Sequence, residues 1–249
     1  MFTDAFLNIE SPIHRLDARA RVAAAIVLSI AVAAVASPAA LALGLAGAIA
    51  LAVAARLPLR PTLRRLLPLN LFLAILVLLL PLTTPGPALF HVHTAAFTWP
   101  GLLAGLAIAA RANAIVLIVT ALLTTMEAAE LARALRSLRV PPALVTLFLL
   151  TGRYVFVLQT EYQRLRRAMG VRAFRPRTNR HTLRALGNLV GMLVVKGFDR
   201  SERVYQAMKC RGYTGVFPTR EPAQWALHDA VFGCGTATFV MVMLWANSL

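Results

Sequence analysis

At 249 residues, with 59% hydrophobic and only 14% charged residues and a mean hydropathy of +0.69, the chain has too little polar material to cover a soluble globule. Its composition is that of a multi-spanning membrane protein. The net charge of +16 comes with neither an aromatic-basic platform nor zinc-ligand spacing, which argues against nucleic acid as a partner.

Asp4 and Glu10 precede the first apolar run without a basic leader, so no cleavable signal is expected. Five segments are nearly free of charge and close to the ~20 residues of a span: 22–36, 39–55, 66–82, 101–125 and 226–246. The first two are short. The run 39–55 reaches about 25 Å against a hydrocarbon core of about 30 Å, so Arg56 must snorkel or the bilayer must thin. Arg15, Arg19 and Arg21 precede the first segment, and Arg56, Arg60, Arg64 and Arg65 form a loop between the second and the third. The stretch 83–101 has no Lys or Arg, whereas the region between the fourth and fifth segments carries most of them. That asymmetry predicts a cytoplasmic N-terminus, a cytoplasmic basic region and an external C-terminus.

The basic region is organised. Pro141-Pro142 opens a helix reaching Met169, apolar over 143–156 and then charged at Glu161, Arg164, Arg166 and Arg167. Arg175-Pro176-Arg177-Thr178-Asn179 breaks it, and a second helix is expected over 181–209 with apolar residues at three- and four-residue steps. Both read as amphipathic rather than spanning, with 186–198 apolar enough to dip into the interface. The fold class is therefore an all-α polytopic membrane protein of about five spans plus long amphipathic helices. Residues 1–125 form a membrane domain of four spans, 126–220 the cytoplasmic helices and 221–249 a final span.

Both helices end on the same phrase. Ala168-Met169-Gly170-Val171-Arg172-Ala173-Phe174 returns 39 residues later as Ala207-Met208-Lys209-Cys210-Arg211-Gly212-Tyr213. Gly212 suits the left-handed residue that closes a helix, leaving Arg211 in the last turn beside the negative end of the dipole. Ala173 stands where the first copy needs that glycine, so its cap is expected to be strained or different. Two dipole-capping arginines would explain each copy singly; the pair suggests a partner present twice.

The segment 202–213, together with Ser11-Pro12-Ile13-His14-Arg15-Leu16-Asp17-Ala18-Arg19, Thr124-Thr125-x-x-x-x-Glu130-Leu131 and Val140-Pro141, resembles the transmembrane T component of energy-coupling-factor (ECF) transporters, cobalt type. In that family each coupling helix ends in an Ala-Arg-Gly motif whose arginine contacts one of two cytoplasmic ATPase subunits. The resemblance assigns that role to Arg172 and Arg211 within 171–173 and 210–212; Val171, Ala173 and Cys210 depart from the pattern. It also implies a metal-binding membrane S component, a candidate small accessory membrane subunit and a plasma-membrane location. ATP and a divalent metal, cobalt before nickel, would be handled by the partners, and no cofactor is expected on this chain. No G-x-x-x-x-G-K-[ST] loop occurs in the sequence, which agrees.

Arg111 and Asn113 lie inside the fourth segment, where an ionisable group faces protein or water; the expected partner of Arg111 is backbone carbonyl or another subunit. Arg153 and Glu161, within the first long helix, match family positions and are further candidate subunit contacts. His91 and His93 in the outer loop read as ordinary loop residues or a weak metal contact. Cys210 and Cys234 imply no disulfide. Two other classes compete: a lipid-acting membrane enzyme, which needs clustered carboxylates for a divalent metal, and a stand-alone carrier, which needs repeats among the spans. The 10 acids are scattered, and only the arginine motif repeats.

Overall fold

The computed structural model describes residues 16–84, 88–92, 95–215 and 227–248. Among them the chain forms helices α1 (Ala18–Ala34), α2 (Pro38–Ala54), α3 (Leu59–Thr83), α4 (Trp99–Leu122), α5 (Ala128–Ser137), α6 (Pro142–Val171), α7 (Arg180–Cys210) and α8 (Leu227–Ser248). A short hairpin, β1 (Ala88–Val92) and β2 (Ala95–Thr98), sits between α3 and α4. Two compact units result, Met1–Ala134 with Pro222–Leu249, and Leu135–Glu221.

In the first unit each early helix starts on a side-chain cap. Asp17 accepts from the Arg19 N–H at 3.0 Å to open α1, and Ser37 accepts from the Ala40 N–H at 3.2 Å to open α2, with Pro38 at its first position. Both helices have 17 residues, about 25 Å, below the ~20 residues of a full span, and of the two only α2 is apolar throughout. Helix α8 runs parallel to α1. Near their starts the Asp17 N–H donates to Asp229 Oδ1 at 2.7 Å, and near their ends Asn247 Oδ1 accepts from the N–H groups of Ala36 and Ser37, both at 2.9 Å.

Helix α4 lies at the centre of this unit, against α1, α2 and α3. The core is rich in alanine: Ala24, Ala25 and Ala31 of α1, Ala40 and Ala48 of α2, Ala114 and Ala121 of α4, closed by Leu28, Val32, Ile118, Leu122 and Met243. Small residues let helix backbones approach, which is how packing replaces the hydrophobic effect where the alternative solvent is lipid. The closest approach is between α3 and α4. A Cβ at Gly101 would lie 2.6 Å from the Pro81 Cα, and one at Gly105 3.1 Å from the Val77 Cα.

Two expectations need correction. The basic stretch after α2 is not a loop: α3 starts at Leu59 and takes Arg60, Arg64 and Arg65 into its first turns. Pro61 does not prevent this, because the first turn has no use for its missing N–H. The outer loop carries the β-hairpin, with Phe90 opposite Phe97 and His91 opposite Ala96, and the Thr98 hydroxyl fastens it to α3 by donating to the carbonyls of Pro81 and Thr84, both at 3.0 Å. His93 lies outside the described residues.

The second unit holds the long helices. α6 has 30 residues and α7 has 31, each about 45 Å. By length and composition α3, α4, α6 and α8 are apolar enough to cross a membrane, and α2 is a shorter apolar helix. Inclusion of α6 corrects the reading of it as amphipathic rather than spanning: its first half contains a single charged residue, Arg153, and the charged residues gather from Glu161 onward.

Candidate coupling site

The two copies of the repeated phrase fold into the same helix cap. At the end of α6 the Ala173 N–H donates to the Gly170 carbonyl at 3.0 Å and the Phe174 N–H to the Met169 carbonyl at 3.1 Å. At the end of α7 the Gly212 N–H donates to the Lys209 carbonyl at 3.0 Å and the Tyr213 N–H to the Met208 carbonyl at 3.0 Å. Each is a Schellman motif closed by a left-handed residue, Ala173 at φ 58° and Gly212 at φ 79°. Alanine therefore adopts the glycine geometry, and the first cap is strained but not different.

This geometry explains most of the repeat. Met169 and Phe174, like Met208 and Tyr213, occupy the two positions whose side chains meet across such a cap, and all four are half-buried. The small residue is the one at positive φ. The arginine is left over. Two other helix ends in the chain close in the same way without it: α2 with Ala55 at the equivalent position and Arg56 at φ 49°, and α5 with Leu138 there and Arg139 at φ 63°. Arg172 and Arg211 are exposed, and their side chains make no hydrogen bond or ion pair among the described residues. Capping thus accounts for the methionine, the small residue and the aromatic, but not for the arginine.

A left-handed alanine costs about 1 kcal/mol more than glycine, so Ala173→Gly should stabilise the end of α6 by about that amount and Gly212→Ala should destabilise the end of α7 equally. Hydrogen exchange of the last-turn amides of the two helices would measure both shifts. Equal protection in the parent and both variants would show that the cap is not held as described.

Helices α6 and α7 cross antiparallel. Lys196 pairs with Glu161, the Arg200 guanidinium lies 5.7 Å from the centre of the Tyr154 ring, and Gly197 leaves room for Leu158, which a Cβ there would meet at 3.6 Å. From this crossing α6 continues to Arg172 in one direction and α7 to Arg211 in the other. The rise per residue then sets the two arginines roughly 30–45 Å apart, depending on the crossing angle.

The other candidate residues are dispersed. Arg111 Nη2 donates at 2.6 Å to the carbonyl of Val35, the residue capping the end of α1, while its Nε is buried and unpaired. Backbone carbonyl is therefore its partner within this chain. Asn113 and Asn70 exchange hydrogen bonds at 2.8 and 3.0 Å between α4 and α3. Arg153 is exposed on α6. Cys210 and Cys234 are exposed and free, and no group of three or more metal-ligating side chains occurs among the described residues.

The structure brings together residues that the sequence had named only separately. Arg21 is buried and donates to the Thr125 hydroxyl, which donates to the Ala121 carbonyl at 3.1 Å, while Arg65 donates to the Thr124 hydroxyl at 3.0 Å. Glu130 supplies a negative charge near the buried Arg21. Val22 packs with Met126 and Ala134 beside it, so the start of α5 is fixed to α1. The adjacent threonines were the available signal, because a Thr pair at a helix end offers two acceptors to two arginines.

A family model described as cobalt transport protein, CbiQ, matches residues 10–223. The chain belongs to the CbiQ family. This is the family the motifs resemble, and both arginine caps, the Thr124-Thr125 pair and the Arg111 position fall within the matched span. Among curated relatives, the chain is 27% identical to an energy-coupling factor transporter transmembrane protein EcfT of Heliobacterium modesticaldum over 257 residues, covering 98% of this chain and 97% of that protein. It is 31% identical to a cobalt transport protein CbiQ of Rhodobacter capsulatus over 163 residues, covering 63% and 66%. As a CbiQ-family protein the chain is a multi-pass transmembrane component of a transporter.

Proposed function

We propose that this CbiQ-family chain is the coupling scaffold of an ECF importer for a divalent metal, cobalt before nickel. Two cytoplasmic ATPase subunits each seat one arginine-tipped helix end. Closing of the ATPase pair on ATP then moves α6 and α7, which reorient a metal-binding membrane subunit. The observation that carries this reading is the pair of caps with the same hydrogen-bond pattern presenting Arg172 and Arg211, a residue type the cap itself does not require. The arginine fork suits carboxylate or carbonyl acceptors in a groove, and the separation of the two suits two grooves rather than one. The metal is substrate, held by a partner. In this reading the protein lies in the plasma (inner) membrane with its N-terminus and the two arginine-tipped helix ends in the cytoplasm, as the Lys/Arg asymmetry favours.

Mild-detergent purification from a strain expressing the chain with its neighbouring genes tests it. ATPase chains and a small polytopic membrane protein should co-purify, and cells should accumulate cobalt, with less nickel, only when all are present. Metal uptake by this chain alone would contradict the scaffold role.

A further inference from the structure

We propose that the first turns of α3 bind an anionic phospholipid, with Arg60 and Arg64 on the phosphate and the Leu63, Leu67 and Leu71 stripe along an acyl chain. Arg56, Arg60, Arg64 and Arg65 fall within ten residues, and the sequence has no acid between Asp17 and Glu127 to neutralise them. Only Arg65 has a partner among the described residues, the Thr124 hydroxyl; the other three arginines are exposed and unpaired. Four residues apart on a helix, Arg60 and Arg64 share one face. Beside them Leu59, Leu63, Leu67 and Leu71 repeat at the same step and are 86%, 67%, 62% and 65% exposed. Farther along, α3 packs on α4 at Val77 and Pro81 and through the Asn70–Asn113 hydrogen bonds. Over its first turns Arg60, Arg64 and these leucines remain exposed.

One ligand satisfies both halves of this face. A phosphodiester accepts the guanidinium forks, and the chain attached to it covers the leucines, which run from the arginines toward mid-membrane. Free phosphate would leave the leucines uncovered, and an acidic peptide would leave them without an apolar counterpart. A zwitterionic headgroup brings its own cation, which the uncompensated arginines repel. The basic end of α3 is where the positive-inside pattern places the anionic leaflet.

The full-length protein in detergent, titrated with phosphatidylglycerol or phosphatidylcholine and followed by native mass spectrometry, provides the test. Phosphatidylglycerol should bind at least about tenfold more tightly, a preference that Arg60→Gln with Arg64→Gln removes and that Arg175→Gln with Arg177→Gln, an equal loss of charge between α6 and α7, retains. Survival of the preference in the α3 variant, or equal loss in both, would overturn the proposal. If the α3 variant does not insert, Leu63→Trp decides: its fluorescence in phosphatidylcholine nanodiscs should be quenched more by brominated phosphatidylglycerol than by brominated phosphatidylcholine at the same fraction. Equal quenching, or relief of the quenching by inorganic phosphate or polyglutamate, would assign the face to something other than this lipid.

Discussion

Arg211→Ala should leave the protein inserted and as abundant as the parent, and should reduce ATP-driven metal uptake by the assembled transporter at least about tenfold. The side chain is exposed and without a partner among the described residues, so its removal costs folding little. At an interface, a charge-assisted hydrogen bond contributes ~1.5–3 kcal/mol, enough to lower occupancy of the coupled state by ten- to a hundredfold. Arg172→Ala should act in the same direction. Lysine at either position should rescue only in part, since it supplies the charge without the fork. Uptake measured beside the amount of each subunit in the membrane separates loss of coupling from loss of protein. Full transport by the double alanine variant would refute the role given to both residues.

Gly101→Val should prevent the membrane unit from closing. The added side chain would meet backbone, not a movable side-chain end: Pro81 Cα at 2.6 Å, with the Leu80 carbonyl oxygen and Pro81 nitrogen at 3.0 Å. Neither α3 nor α4 can yield locally, because the same pair touches again at Gly105 and Val77 and is tied together by Thr98. Overpacking of this kind costs at least ~3 kcal/mol, a large share of the stability of a domain. The variant should appear as aggregated or degraded protein in size-exclusion chromatography of a fluorescent fusion. Gly233→Val on α8, where a Cβ meets nothing within 4 Å, should elute like the parent. Gly47 falls between the two, since its obstacle is the Phe239 ring, which can rotate away. A monodisperse Gly101→Val protein would show that α3 and α4 do not pack as described.

The repeated arginines were legible in the sequence, whereas the close approach at Gly101 was not. The apolar runs gave α1, α2, α4 and α8 to within a few residues, because spans depend on composition over a long window. The start of α3 was missed, since arginines and prolines were read as a loop although both are admissible in a first helical turn. The β-hairpin was missed because strand pairing depends on a partner across a turn, and Phe90 and Phe97 carry no local sign of facing each other. The repeated phrase located both arginines, yet Ala173 concealed that the two caps are alike: an alanine at positive φ contradicts local preference and is fixed by the hydrogen bonds around it. Arg21 was read as one topogenic charge among several. Its burial against Thr125 joins residues 104 apart in sequence, a relation that periodicity does not contain. The same holds for Glu161 and Lys196, which meet only because two 45 Å helices cross at that point.

The central claim is that the two arginine caps engage two ATPase chains at once. With Cys210 and Cys234 first changed to serine, cysteines placed at positions 172 and 211 and a single cysteine in the ATPase groove should cross-link in the assembled complex. The account predicts a species containing one scaffold chain and two ATPase chains, formed only when both scaffold cysteines are present. Capture of a single ATPase chain for which the two positions compete would contradict it.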